Sequence, residues 1–259
     1  MNNILVITSI VLKELIRRKD VYVLLIITVL LTIMAGSAKF YGDMKMVRYM
    51  KEICLLLVWI STIVIAVTMT ARQIHAERES RTLFSLLSKP VSRNELVFGK
   101  FFGCWFACGV ALLAFYGFFV ITAVLGGEHW RFPEILQAFW MHWIMLGIIV
   151  AMVLCGSLVF TAPSSNATVN IVIIVGILML GRHLGKLALH MDEPMQSVTL
   201  AVFYAMPHLE FYDLRDLIIH DWPLVKWSAI GLATLYGMAY AAAFLGSACF
   251  LFRRKPLNA

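Results

Sequence analysis

The chain has 259 residues, 61% of them hydrophobic and only 14% charged, with a formal net charge of +7. A soluble domain carries about a quarter charged residues, so this composition excludes an ordinary soluble enzyme and points to an all-α integral membrane protein. No nucleic-acid motif accompanies the positive charge, which fits a basic membrane face beside anionic lipid.

The first predicted element is a short amphipathic helix. In "NILVITSIVLKEL" the residues Ile4, Ile7, Val11 and Leu15 fall on one face, as in a helix lying in the membrane interface. Lys13, Arg17, Arg18 and Lys19 follow, and then an apolar run over 21–38. That run is longer than the roughly 7–15 apolar residues of a signal peptide, so it reads as a first span and not as a cleaved signal. A loop with Lys39, Lys45, Arg48 and Lys51 leads to a second span over 53–71.

A charged interruption, 72–100, comes next. Residues 72–87 suit a helix, with Glu77 four places before Arg81 in the favourable ion-pair order. Leu83, Phe84, Leu86 and Leu87 gather apolar bulk near its end, and Pro90 stops it. "VSRNEL" then starts a new helix. Ser92 caps it, Glu95 closes the capping box, and Val91 with Leu96 forms the staple. This helix runs through Gly99 and Lys100 into a third span, 101–125. A helix–break–helix elbow is expected, with apolar and basic groups side by side.

Gly117 and the pair Gly126 and Gly127 read as close packing and a turn. Trp130, Trp140 and Trp143 flank the start of a fourth span, 135–160, and His142 beside them reads as an interfacial anchor. "TAPSSNAT" at 161–168 is expected to be a tight turn in which Asn166 caps the fifth helix. The fifth span, 168–189, is the weakest, because its clean apolar run stops at Arg182. Arg182, Lys186 and His190 follow at steps of four. This basic stripe suits either an anionic headgroup or substrate, or snorkelling side chains that anchor a short helix. The loop 190–226 holds "MPHLEFYDLRDLIIHDWP". Over 207–223 a short amphipathic helix is expected, turning Leu209, Tyr212, Leu217 and Ile218 toward the membrane. Trp222 and Trp227 introduce a sixth span, 227–251. Cys54, Cys104, Cys108, Cys155 and Cys249 all fall in apolar runs and read as small packing residues.

Six spans put both termini on one side. If that side is the cytoplasm, the inner segments 1–20, 72–100, 163–167 and 252–259 hold 13 Lys and Arg against 9 elsewhere. The bias selects cytoplasmic termini. Spans 21–38, 53–71, 101–125, 135–160 and 227–251 contain no Asp, Glu, Lys or Arg, and His142 is their one histidine. Ion-driven transporters and intramembrane hydrolases need such groups near mid-membrane. "FGKFFG" has a Gly-Lys but neither the spacing nor the Ser/Thr of a phosphate-binding loop. If the chain moves a solute, the energy must enter from a separate ATPase, and no metal or cofactor bound by this chain is expected.

The string "ERESRTLFSLLSKPVSRNELVFGK" resembles the first cytoplasmic loop of type-2 ABC exporter permeases, in the branch similar to nitrous-oxide-reductase maturation and gliding-motility permeases. The resemblance rests on Glu77 or Glu79, Thr82, Leu86, Leu87, Pro90, Val91, Ser92, Arg93, Gly99 and Lys100. "MPHLEFYDLRD" is similar to a second segment of that branch. His208 departs from the pattern where Asn is usual, as does Arg81 where Gly often precedes the Thr. The resemblance implies six spans, an interfacial N-terminal helix and a coupling helix over 82–89 that docks into a nucleotide-binding subunit. Glu77, Arg81, Thr82, Leu83, Leu86, Leu87, Lys89, Pro90 and Arg93 would make or frame that contact. It also implies an ABC ATPase partner holding ATP and magnesium, a second permease copy or homologue, and a bacterial inner membrane. The competing reading is a membrane anchor or assembly factor that recruits a partner through the same loop without transport.

Overall fold

The computed structural model describes residues 2–17, 22–23, 26–30, 44–79, 92–125 and 131–254. Among them the regular elements are all helices: α1 (Asn2–Arg17), α2 (Met44–Glu79), α3 (Arg93–Leu125), α4 (Phe132–Val159), α5 (Pro163–Ala188), α6 (Met195–Ala205), a 3-10 turn (Leu209–Tyr212), α7 (Arg215–Ile219) and α8 (Trp227–Arg254). Five stretches are long and apolar enough to cross a membrane: Arg48–His75, Arg93–Val124, Phe132–Val159, Pro163–Gly181 and Trp227–Arg254. The expected first span, 21–38, lies largely outside the described residues, and within it 22–23 and 26–30 are helical.

α4 is the axis of the bundle. It has no polar face over its middle, and every residue from 144 to 154 is buried. A helix apolar all round belongs in a core, and α2, α3, α5 and α8 all pack on this one. Lipid tails are as apolar as leucine, so close approach and hydrogen bonds must hold membrane helices together. α3 and α4 show how. Gly109 gives room to Trp143 and Gly147 gives room to Trp105. The two indoles stack with centroids 4.7 Å apart. Each indole N–H donates to the other residue's carbonyl, at 2.9 Å from Trp105 and 3.3 Å from Trp143. Gly117 is not such a contact, because the space where a Cβ would stand is open.

Several local expectations give way to tertiary packing. His142 is no interfacial anchor. It is buried, with Nε2 2.9 Å from Thr62 Oγ1 on α2 and its ring edge-on to Tyr116. The α4–α5 turn spans only 160–162, and α5 begins at Pro163, with Ala162 before it and no side-chain cap. Proline is pre-set for a first helical turn. Asn166 therefore lies inside the helix, where its Nδ2 donates to Val153 O (3.1 Å) and Ser157 Oγ (2.8 Å). The stretch 207–223 is not one helix facing lipid. It folds as the 3-10 turn and α7, with Leu209, Tyr212, Leu217 and Ile218 buried inside the protein. Tyr212 donates to Ala233 O of α8 at 2.8 Å.

Candidate functional site

Arg81, Thr82, Leu83, Leu86, Leu87, Lys89 and Pro90 lie outside the described residues, as does Val91 of the expected staple. Glu77 is on α2, near its end at Glu79. What the structure shows is the frame on which segment 80–91 is mounted. α2 leads into it, and α3 takes the chain up again at Arg93.

The restart is the expected capping box. Ser92 N donates to Glu95 Oε2 at 2.8 Å, and Glu95 N donates to Ser92 Oγ at 3.2 Å. One turn further on, α1 lies against α3. Gly99 and Gly103 present bare backbone to Ile7 and Val11, so close that a Cβ on either glycine would collide with them. The Thr8 hydroxyl donates to Gly99 O at 3.3 Å. Ile7 and Val11 are buried there, so the apolar face of α1 rests on protein at these two positions.

A polar chain joins the same three helices. Lys100 is buried, and its Nζ donates to Gln73 Oε1 on α2 at 3.0 Å. Gln73 Nε2 in turn donates to Glu14 Oε2 on α1 at 3.0 Å. The amide thus links a buried cation to a carboxylate, and both ends of the 80–91 segment become tied to α1. Burying a charge without such partners is costly.

Arg93 holds a further element. Its NH1 donates to Phe252 O (2.7 Å) and Arg253 O (3.1 Å), and the guanidinium sits over the Phe252 ring. It caps the last carbonyls of α8, where a cation also suits the helix dipole. The His75 ring nitrogens lie 3.0 Å from Ala71 O and 3.1 Å from Phe160 O, which fastens α2 to the α4–α5 turn. α1, the end of α2, the start of α3, the α4–α5 turn and the end of α8 therefore meet at one end of the bundle.

Glu14, Gln73 and Thr8 were not anticipated as parts of this frame. A signal for the α1 contact was present: "GKFFG" is also Gly-x-x-x-Gly, the spacing that lets helices approach closely.

The residues of the basic stripe lie toward the other end. Arg182 is on α5, Lys186 is exposed, and His190 stands beyond the helix end at Ala188 with Nδ1 2.8 Å from Lys186 O. A cavity of about 380 Å³ nearby has Trp59, His183, Glu210, Asp213 and Arg215 in its walls. Arg215 grips Asp213 through two 2.8 Å bonds and lies over the Trp59 ring. Burial works against the Arg215 charge, but the bound Asp213 carboxylate outweighs it and holds the guanidinium above its ordinary range. Among the described residues no group of three or more His, Cys, Asp or Glu is placed to hold a metal ion.

A family model described as "ABC-2 family transporter protein" matches residues 6–257, which is nearly the whole chain. No curated protein matches.

Proposed function

The chain belongs to the ABC-2 family of transporter proteins, and from that premise we propose that it is the permease subunit of an ATP-driven exporter in a bacterial inner membrane. It pairs with a second permease copy or homologue to form the pathway. ATP and magnesium are bound and hydrolysed on separate ATPase subunits. Both termini face the cytoplasm. Segment 80–91 is the element that docks on the ATPase, through Thr82, Leu83, Leu86 and Leu87, with Arg81 and Lys89 meeting polar or acidic surface beside it.

The observation that supports this reading best is the frame around the segment. Lys100, Gln73 and Glu14 tie the helices that enter and leave it to α1. A segment held at both ends passes a push into the bundle, where a loose loop would absorb it. Glu77 and Arg93 stand on either side as framing residues. Arg93, with its guanidinium on the α8 carbonyls, contributes stiffness to the mount in this arrangement.

The test is co-purification of the chain with its cognate ATPase, comparing the wild type with the double variant Leu86→Asp/Leu87→Asp. Loss of association, or ATPase turnover that no longer responds to the permease, is expected. Unchanged association and coupling would rule the segment out as the docking element. Association without any ATP-driven movement of solute by the wild-type complex would favour the anchor reading.

A further inference from the structure

An open groove runs down the flank of the bundle between α3 and α8, floored by α4. It encloses about 320 Å³, and Phe98, Phe102, Trp105, Gly147, Ala242 and Gly246 are among the apolar residues that line it. Four of the six α8 residues on its wall are Gly or Ala, beside Met238 and Leu245, and the space where a Cβ would stand on Gly246 is open. From Gly246 to Gly237 the groove follows α8 for nine residues, about 14 Å at the rise of an α-helix. All three helices are long and apolar enough to cross a membrane, so the groove opens where lipid is at hand to fill it.

Charge marks one end of it only. Arg253 and Arg254 are exposed, two turns past Gly246 on α8. Arg93 lies beside them on α3 with its guanidinium turned to the α8 carbonyls. Glu95, the acid nearest in sequence to Arg93, is closed in the capping box with Ser92. Farther along, neither α3 beyond Lys100 nor α8 before Arg253 carries a charged residue. An apolar slot with a basic rim at the interface complements a lipid whose tail is apolar and whose head is anionic.

We propose that this groove binds one phospholipid with an anionic headgroup, an acyl chain lying between α3 and α8 and the phosphate held by Arg253, with Arg254 beside it adding positive charge. The site goes beyond the coupling function and does not depend on it, since neither the ATPase nor segment 80–91 takes part.

Native mass spectrometry of the detergent-purified chain, titrated with dioleoyl phosphatidylglycerol or dioleoyl phosphatidylcholine, tests the site. The first phosphatidylglycerol is expected to be retained at least tenfold more tightly than the first phosphatidylcholine. Arg253→Gln with Arg254→Gln should reduce phosphatidylglycerol to the phosphatidylcholine level. Gly246→Leu fills the groove, where there is room for it, and should weaken the first site for both lipids at least fivefold. If that variant fails to fold, Ala242→Leu on the same wall replaces it. Equal retention of the two lipids by the wild type overturns the proposal, as does a filled groove that leaves retention unchanged. A filling variant that loses a second copy of the chain, with lipid retention intact, assigns the groove to self-association and overturns it as well.

Discussion

Lys100 carries a buried ammonium, and its Nζ donates to the side-chain oxygen of Gln73. A hydrogen bond to a charged group contributes about 1.5–3 kcal/mol, and leaving its partner unsatisfied costs a similar amount. Lys100→Met is therefore expected to destabilise the protein by about 1–3 kcal/mol, because Gln73 Oε1 loses its donor. Removing both ends of the bond is different. Lys100→Met combined with Gln73→Leu should cost less than the two single changes added together, as read from unfolding midpoints in one detergent. Strict additivity would mean the two side chains act independently.

At the scale of elements, the contact of α1 with α3 depends on two glycines. A Cβ on Gly103 would lie 2.7 Å from the Val11 Cβ. Gly103→Leu is thus expected to lift α1 from α3, at a cost of about 1–3 kcal/mol for an overfilled contact. Val11 is fully buried, so Val11→Cys should resist a thiol reagent in the wild-type background and react in the Gly103→Leu background. Equal reactivity in both would show that α1 is held in some other way.

Legibility from sequence followed the range of the interactions. The Ile7 and Val11 step of α1 and the Ser92–Glu95 box involve partners three or four residues apart, and both stand in the structure where local rules put them, although Ile7 and Val11 rest on protein. His142 finds Thr62 across 80 residues, and Gln73 finds Glu14 across 59. No window of sequence contains such pairs. Asn166 failed as a cap because Pro163 starts the helix earlier, and the amide then found Ser157 on α4. Over 207–223 local pattern turns four apolar residues toward the membrane, and the structure buries them inside the protein, with Tyr212 bonded to α8 and α7 packed on α2 and α4.

Over the whole molecule, the ends of the helices sort into two groups. One end gathers α1, Gln73, Ser92, the 160–162 turn and Phe252. The opposite end is closed by Arg131 with Glu134 and Asp221, and by Gln137, which exchanges two hydrogen bonds with the Val225 backbone. Ser92 and Trp222 are both exposed, one at each end. With the first end cytoplasmic, a thiol reagent that does not cross membranes should label Trp222→Cys on intact cells, and Ser92→Cys only after permeabilisation. The reverse pattern would invert the orientation.

The Arg93 clamp on the last carbonyls of α8 has a practical consequence. The end of α8 lies against Arg93, two residues past the segment 80–91 proposed to dock on the ATPase. On that proposal, a purification tag or fluorescent reporter joined close behind α8 would share that small area with the ATPase. A fusion of this kind can report a weak complex when the bare chain forms a tight one, and a long flexible spacer before the tag guards against the artefact.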